Sequence, residues 1–95
     1  MFEWDSDKNR LNIEKHGVSF DTACRIFDGF VFTVRDQRFD YGEVRDISIG
    51  KVGDLTVLTV VHTDRNGITR LISARAASRS ERKRYGDEIQ KRTER

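Results

Sequence analysis

Basic residues crowd one short stretch of the sequence, and their side chains could bind phosphate groups. Between residues 70 and 84 an arginine or lysine stands at six positions: Arg70, Arg75, Arg79, Arg82, Lys83 and Arg84. An arginine guanidinium can bind two phosphoryl oxygens at once, and the N-terminus of a helix attracts anions through its free N–H groups. If this protein performs chemistry, we expect it at this stretch.

Cleavage of RNA by attack of its own 2′-hydroxyl would suit such residues. The reaction needs a group that withdraws the 2′ proton, a cation that neutralises the pentacovalent phosphorane and an acid for the leaving oxygen. Arginine suits the second role because its fork matches two phosphoryl oxygens. Glu81, His16 or His62 could act as the base, and Tyr85 or a histidine as the acid.

Each of these four side chains also has a purely structural interpretation. Ser78 and Glu81 are three residues apart, which predicts a capping box at a helix start worth ~1 kcal/mol. We favour this capping role for Glu81. His16 could stabilise a helix C-terminus, whereas His62 and Tyr85 could pack against a sheet.

The surrounding elements predict an α+β fold, a curled antiparallel sheet with two N-terminal helices and one C-terminal helix packed on it. Gly17 is typical of a left-handed cap that ends a first helix at about His16, and Ser19 is typical of the N-cap of a second helix. A last helix follows Ser78. Strands are predicted at 2–4, 30–34, 44–51 and 55–61. A loop is predicted at 35–42 and a turn at 50–53.

Asn66 and Gly67 predict a hairpin with a two-residue type I′ turn. Such a turn would pair Thr63 with Arg70, His62 with Leu71 and Leu58 with Arg75. Directly opposed residues share a face of the sheet. The predicted faces are therefore one with His62, Leu71, Ser73 and Arg75, and another with Thr63, Arg65 and Arg70.

The composition predicts one small domain that spans residues 1–95, with a tail that frays beyond about residue 89. Hydrophobic and charged residues each make up 36% of the chain, enough for one modest core. The single cysteine, Cys24, excludes an internal disulfide and indicates a reducing cytoplasm, and its place on an apolar helix face predicts a packing role. No apolar run approaches the ~18 residues that a membrane span requires.

Charge is distributed unevenly along the chain. Residues 1–74 contain 10 Lys and Arg against 12 Asp and Glu, whereas residues 75–95 contain 8 against 4. A basic last helix suits a phosphate backbone or an acidic protein partner. The alternative is a solvated helix face with i,i+4 ion pairs.

Several segments match one known family in order and spacing, from residue 2 to about residue 85. They include Phe2-Glu3-Trp4-Asp5, Lys15-His16-Gly17-Val18-Ser19-Phe20, Val60-Val61-His62-Thr63, Ile72-Ser73-Ala74-Arg75 and Glu81-x-x-x-Tyr85. The combination of Lys-His-Gly-Val-Ser-Phe with Ile-Ser-Ala-Arg is specific. On these residues the sequence resembles the BrnT toxins of bacterial BrnT/BrnA type II toxin–antitoxin systems.

The resemblance implies a RelE-like ribonuclease that cleaves RNA and arrests translation. It also implies a BrnA antitoxin, a ribbon-helix-helix DNA-binding protein that neutralises the toxin and forms a repressing complex with it. Carried over onto matching positions, the functional residues are His16, Arg65, Arg70, Arg75, Arg79 and Tyr85.

The resulting hypothesis is a cytoplasmic endoribonuclease without metal or cofactor, with a cleft between the first helix and the strand-to-helix junction. We expect Arg75 and Arg79 to act on the phosphate, and His16 and Tyr85 to transfer protons. Further RNA contacts are expected from Lys15, Arg65, Arg70, Arg82 and Lys83. The alternatives are a non-catalytic module whose basic last helix binds RNA or an acidic antitoxin, and a structural subunit without a nucleic-acid role.

Overall fold

A computed structural model gives the structure of residues 1–93 as one sheet with helices on both faces. The strands are β1 (Phe2–Glu3), β2 (Val31–Arg35), β3 (Asp46–Val52), β4 (Thr56–Arg65) and β5 (Ile68–Ala76). The helices are α1 (Ser6–His16), α2 (Phe20–Ala23) and α3 (Arg79–Thr93), and a 3₁₀ helix (Cys24–Asp28) directly follows α2. The predicted α+β class, with two N-terminal helices and one C-terminal helix, is confirmed.

The sheet has the strand order β1-β5-β4-β3-β2. All neighbours are antiparallel except β1 and β5, which are parallel, so the sheet is mixed rather than wholly antiparallel. The short β1 pairs only with Thr69 and Arg70. Beyond Arg70, β5 is therefore an open edge of the sheet.

The predicted caps at the end of α1 and at the start of α2 are confirmed. Asp5 Oδ1 accepts the backbone N–H groups of Asp7 and Lys8, which begins α1, and Gly17 ends it with a φ of 72°. Ser19 Oγ accepts the N–H of Thr22 at the start of α2. The α-helical part of this second helix is only four residues long, and the chain continues as the 3₁₀ helix, in which Cys24 is half-buried.

Two clusters of buried side chains lie on opposite faces of the sheet. On the α2 face, α2 and the 3₁₀ helix cover the larger cluster: Phe20, Ala23, Ile26, Leu58, Val60, Leu71 and Ala74. On the α3 face, α3 covers the smaller cluster: Ile49, Ala77 and Tyr85. Both faces of the sheet are therefore packed against helices, which fix the positions of the side chains on each face.

Gly50 lies inside β3 and not in a turn, so the predicted turn at 50–53 begins too early. A Cβ atom at Gly50 would lie 2.8 Å from Ile26 Cβ, which explains why a strand position on the α2 face holds glycine. The chain turns after Val52, where Gly53 has a φ of 69°.

The hairpin turn is confirmed, but its predicted register holds only near the turn. Asn66 and Gly67 both have positive φ, 55° and 84°. Thr63 pairs with Arg70 and His62 with Leu71 as predicted, and a β-bulge follows, because the next pair is Val61 with Ser73. Leu58 consequently pairs with Ala76, and its predicted pairing with Arg75 is wrong.

The bulge also corrects the predicted faces. Ile72 is the extra residue, and one extra residue reverses the alternation of side chains beyond it. His62 and Leu71 stay on the α2 face, whereas Ser73 and Arg75 move to the α3 face, where Arg70 lies. The bulge thus places Arg70 and Arg75 on one surface.

The last helix extends to Thr93. Fraying beyond residue 89 stays a prediction, and residues 94 and 95 lie outside the described part of the chain. Within residues 1–93, none of the helices has the length and apolar character that crossing a membrane requires.

Candidate functional site

A shallow groove crosses the α3 face of the sheet, between α3 and the loop of residues 36–45. Its floor is a row of residues paired across four strands: Val34, Ile47, Val61 and Ser73. All four are half-buried or exposed, whereas the neighbouring row beneath α3 contains the buried Ile49 and Thr59. We call this uncovered row and its walls the sheet groove. A cavity of about 360 Å³ opens at its Val34 end.

One wall of the sheet groove is formed by the start of α3, where Glu81 binds Arg75. The guanidinium donates two hydrogen bonds to the carboxylate, of 2.7 and 2.9 Å. Glu81 also accepts the N–H of Ser78 and the hydroxyl of Thr59, and its own N–H donates to Ser78 Oγ. The predicted capping box is therefore present, and its carboxylate also orients Arg75.

Charge at this pair is fixed at neutral pH. The hydrogen bonds from Arg75 lower the pKa of Glu81 to about 2, and the same bonds raise the pKa of Arg75. A carboxylate with so low a pKa is a poor proton acceptor near neutrality. The Arg75 side chain remains 42% exposed on the face that carries Ser73, so it can still meet a ligand.

The other wall is the loop 36–45, which is tied to the α3 face by the hydrogen bond from Thr63 Oγ1 to the carbonyl of Val44 and is organised by one buried carboxylate. Asp36 accepts Nε and Nη2 of Arg38 at 2.9 Å each, the hydroxyl of Tyr41 at 3.0 Å and the backbone N–H of Arg38. These bonds, above all those from Arg38, hold the pKa of Asp36 well below its usual range. The Asp36 side chain has no exposed surface, whereas Arg38 is 60% exposed.

His16 and Lys15 line a second, smaller cleft at the open edge of β5. This cleft has a volume of about 210 Å³, and Ile72 and Ser73 form its strand side. Ser73 also belongs to the floor of the sheet groove, so the two depressions meet at this residue. His16 therefore shares a cleft with Ser73, which lies two residues before Arg75 in β5.

The other predicted phosphate contacts lie around these depressions and are partly engaged in ion pairs. On the sheet, Arg70 binds Glu3 at 2.7 Å and Arg65 binds Glu43 at 3.3 Å. Arg79, Arg82 and Lys83 are exposed on α3; Arg82 donates to the carbonyl of Ala77, and Lys83 pairs with Asp87.

Tyr85 occupies an interior position. The side chain is buried, its hydroxyl donates to the carbonyl of Phe30 at 2.9 Å, and its ring stacks on the Phe30 ring. Burial raises the pKa of the Tyr85 phenol. The proton-transfer role of Tyr85 stays a prediction, but this geometry favours the packing role.

His62 lies on the α2 face, away from the sheet groove. Its Nε2 is 2.7 Å from Ser48 Oγ, which is 2.7 Å from Thr33 Oγ1, and the Phe27 ring meets the imidazole edge to face. Burial lowers the pKa of His62. Ser48 has no exposed surface, so this serine–histidine pair cannot meet a substrate in the folded protein.

Two features of the site are missing from the sequence-based hypothesis. The floor of the sheet groove depends on the bulge at Ile72, which strict alternation along a strand cannot predict. The Asp36–Arg38 pair lies in a polar loop without apolar periodicity, and a charged pair two residues apart is not a recognised local signal. Within residues 1–93, no three His, Cys, Asp or Glu side chains come together as a metal site.

A family model described as "Ribonuclease toxin, BrnT, of type II toxin-antitoxin system" matches residues 4–81. The chain belongs to the BrnT family. The matched range contains His16, Arg65, Arg70, Arg75 and Arg79 but ends before Tyr85. Comparison with curated proteins gives no match.

A solved BrnT structure shares the fold. The crystal structure of the Brucella abortus ribonuclease toxin BrnT has 28% sequence identity to this chain and a TM-score of 0.62. The alignment covers 83% of this chain and 99% of the Brucella chain. This BrnT-family member is therefore a toxin-family protein by both sequence and fold, and the family is described as one of ribonucleases.

Proposed function

We propose that this BrnT-family chain is an endoribonuclease that cleaves RNA by attack of the 2′-hydroxyl, needs no metal ion, and thereby inhibits translation. The observation that carries the proposal is the sheet groove, in which Arg75 is held rigidly beside an uncovered floor and next to the His16 cleft. A guanidinium fixed in advance can stabilise a phosphorane without reorganising during the reaction.

Arg75 acts on the phosphate in this mechanism. Glu81 and the start of α3 fix the guanidinium, and its positive charge neutralises the two phosphoryl oxygens that gain charge as the 2′ oxygen attacks. Arg79 is the first residue of α3 and is exposed, so it adds positive charge at the start of this helix. Arg65 and Arg70 contribute to binding of the RNA backbone.

His16 is the candidate for proton transfer. Its imidazole is exposed and shares a cleft with Ser73, and histidine is the side chain that most often acts as a general acid or base. It can withdraw the 2′ proton or protonate the leaving 5′ oxygen. Tyr85 is assigned a packing role instead, because its hydroxyl is already bonded to Phe30 O.

The partner of this toxin is an antitoxin, as membership in a type II system implies. We propose that it is a BrnA-like ribbon-helix-helix protein that binds DNA and carries the toxin into a repressing complex, with both proteins in the cytoplasm. Purification of the co-expressed pair tests this proposal. A stable complex that binds operator DNA supports it, and a toxin that purifies alone contradicts it.

A cleavage assay tests the enzymatic proposal. The parent protein, Arg75→Ala and Arg35→Ala are each incubated with end-labelled RNA in EDTA. Arg35 is a matched control, since its side chain is 56% exposed and ion-paired to Asp46 but lies at the end of the edge strand β2. We expect cleavage by the parent and Arg35→Ala and a loss of about 100-fold or more for Arg75→Ala, the usual cost of removing a charge-stabilising donor.

Cleavage by Arg75→Ala at the parental rate contradicts the assigned role of this residue. RNA that stays intact with the parent favours the alternative, a non-catalytic module that binds RNA or its antitoxin through the basic face.

A further inference from the structure

The loop 36–45 contains an arginine, Arg38, whose guanidinium is fixed by a buried carboxylate while its side chain stays exposed to a ligand. The Asp36 side chain is fully buried, and its carboxylate accepts hydrogen bonds from one edge of the Arg38 guanidinium, Nε and Nη2. The remaining terminal nitrogen, Nη1, lies on the opposite edge from the carboxylate. A guanidinium bound in this way is rigid yet keeps donors for an anion.

Tyr41 and Arg45 complete the support of this arginine. The hydroxyl of Tyr41 donates to the same carboxylate, and the Arg45 guanidinium lies over the Tyr41 ring, 4.0 Å from its centroid. The backbone N–H of Asp36 donates to the carbonyl of Arg45, which closes the base of the loop. The loop is thus built around Asp36 and presents Arg38 outward.

Arg38 is held on the face of the sheet that carries Arg75. Its partner Asp36 lies two residues beyond Val34 of the groove floor, and the backbone N–H of Asp36 continues the strand pairing by donating to the carbonyl of Arg45, so Val34 and Asp36 share a face. The charge of Arg38 also acts against the raised pKa of Arg75. An anion bound between the two arginines would be attracted by both charges.

We propose that Arg38, positioned by Asp36 and Tyr41, forms with Arg75 a binding site for an RNA phosphate on the floor of the sheet groove. The RNA strand then contacts the loop 36–45 as well as α3. Asp36 and Tyr41 are positioning residues, because they act through Arg38. The inference rests on the proposed function for the identity of the ligand, and it adds a binding residue to that function.

A binding titration with a matched pair of variants tests this site. The probe is a fluorescein-labelled single-stranded RNA with 2′-O-methyl groups, which cannot be cleaved by 2′-hydroxyl attack. Arg38→Gln and Arg35→Gln remove the same charge from side chains of similar exposure, 60% and 56%, each paired to an aspartate. They differ in whether the arginine meets the groove.

We expect Arg38→Gln to weaken binding about tenfold, the loss expected for one charge-assisted hydrogen bond. The slope of log affinity against log salt should fall by about 0.7, the value for one phosphate contact with a single strand. Arg35→Gln should change neither quantity. Equal affinity and slope for the two variants overturn the proposal.

A second variant controls for unfolding of the loop, because Arg38→Gln leaves the buried carboxylate of Asp36 without its cation. The double variant Asp36→Asn, Arg38→Gln removes both charges and should bind RNA as weakly as Arg38→Gln does. Parental affinity in the double variant overturns the proposal. Cleavage of unmodified RNA by the parent protein is measured separately. If Arg38→Gln weakens RNA binding but the parent does not cleave RNA, only the proposed function is contradicted. If the parent cleaves RNA but Arg38→Gln binds it as the parent does, only this inference is contradicted.

Discussion

Tyr85 stabilises the contact between α3 and the sheet through both its ring and its hydroxyl. We expect Tyr85→Phe to lower the free energy of unfolding by about 1 kcal/mol, because the carbonyl of Phe30 loses its hydrogen-bond partner. RNA cleavage should stay within a few-fold of the parent. Urea denaturation and the cleavage assay measure the two effects.

A loss of cleavage of about 100-fold in Tyr85→Phe, with stability retained, would instead make Tyr85 the proton donor of the sequence-based hypothesis. Tyr41→Phe is a useful comparison. This substitution also removes one hydroxyl that donates to a buried acceptor, in this case the carboxylate of Asp36. It should reduce RNA affinity and leave the packing of α3 unchanged.

His62 makes stability depend on pH. Burial lowers its pKa from the ordinary value of 6.5, so the unfolded chain binds a proton more readily than the folded protein does. The stability is fully present above pH 6.5 and is lost as pH falls below that value. We expect His62→Gln to lose less stability than the parent between pH 7 and pH 5, measured by urea denaturation.

Identical slopes of stability against pH in His62→Gln and the parent would contradict the stated role of burial. Carboxylates with lowered pKa, such as Glu81 at about 2, lose their contribution at more acidic pH and act equally in both proteins.

At the scale of elements, α1 is held to β5 mainly by one side chain. Asn12 is the only buried residue within α1, and its amide pairs with both backbone groups of Ala74: Nδ2 donates to Ala74 O at 2.8 Å, and Oδ1 accepts Ala74 N–H at 3.1 Å. The side chain thus takes the place of a neighbouring strand at the open edge of β5. Nδ2 also donates to the carbonyl of Val18.

We expect Asn12→Ala to cost about 2–3 kcal/mol of unfolding free energy, because the buried backbone groups of Ala74 are left without partners. Glu14→Ala on the same helix is the control and should change stability by less than about 0.5 kcal/mol, as exposed substitutions usually do. Equal effects of the two substitutions, measured by urea denaturation, would show that α1 is held elsewhere.

Elements fixed by local chemistry could be predicted from the sequence. Gly17, Ser19, the Asn66–Gly67 turn and the Ser78–Glu81 capping box each depend on residues a few positions apart, and each is present. The bulge at Ile72 could not be predicted in this way. It lets Leu71 and Ala74 both face the core, and Ala74 is also bonded to Asn12, 62 positions away.

The same distinction applies to the candidate site. The Arg75 and His16 positions could be proposed from residue types, but the face of Arg75 depends on the bulge, and the partner of Arg38 depends on a loop fold without a repeating pattern. The predicted location of the cleft, between α1 and the start of α3, stays a prediction that the meeting of the two depressions at Ser73 supports.

Across the whole molecule, the basic charge of the last helix is partly neutralised within the helix. Lys83 pairs with Asp87, and Arg84 and Lys91 both pair with Glu88. This is the solvated helix face that a run of charges often forms. The arginines best placed for RNA come instead from the sheet and the loop 36–45, so the sheet groove is the expected path of the strand.

The most direct test of attack by the 2′-hydroxyl removes that hydroxyl from the substrate. The cleavage site is first mapped on a labelled RNA, and the same RNA is then made with a 2′-deoxynucleotide at that site; both are incubated with the parent protein in EDTA. We expect the RNA to be cut to a 2′,3′-cyclic phosphate end, and the deoxy-substituted RNA to stay intact at that site. Cleavage of the deoxy-substituted RNA at the same position would contradict attack by the 2′-hydroxyl.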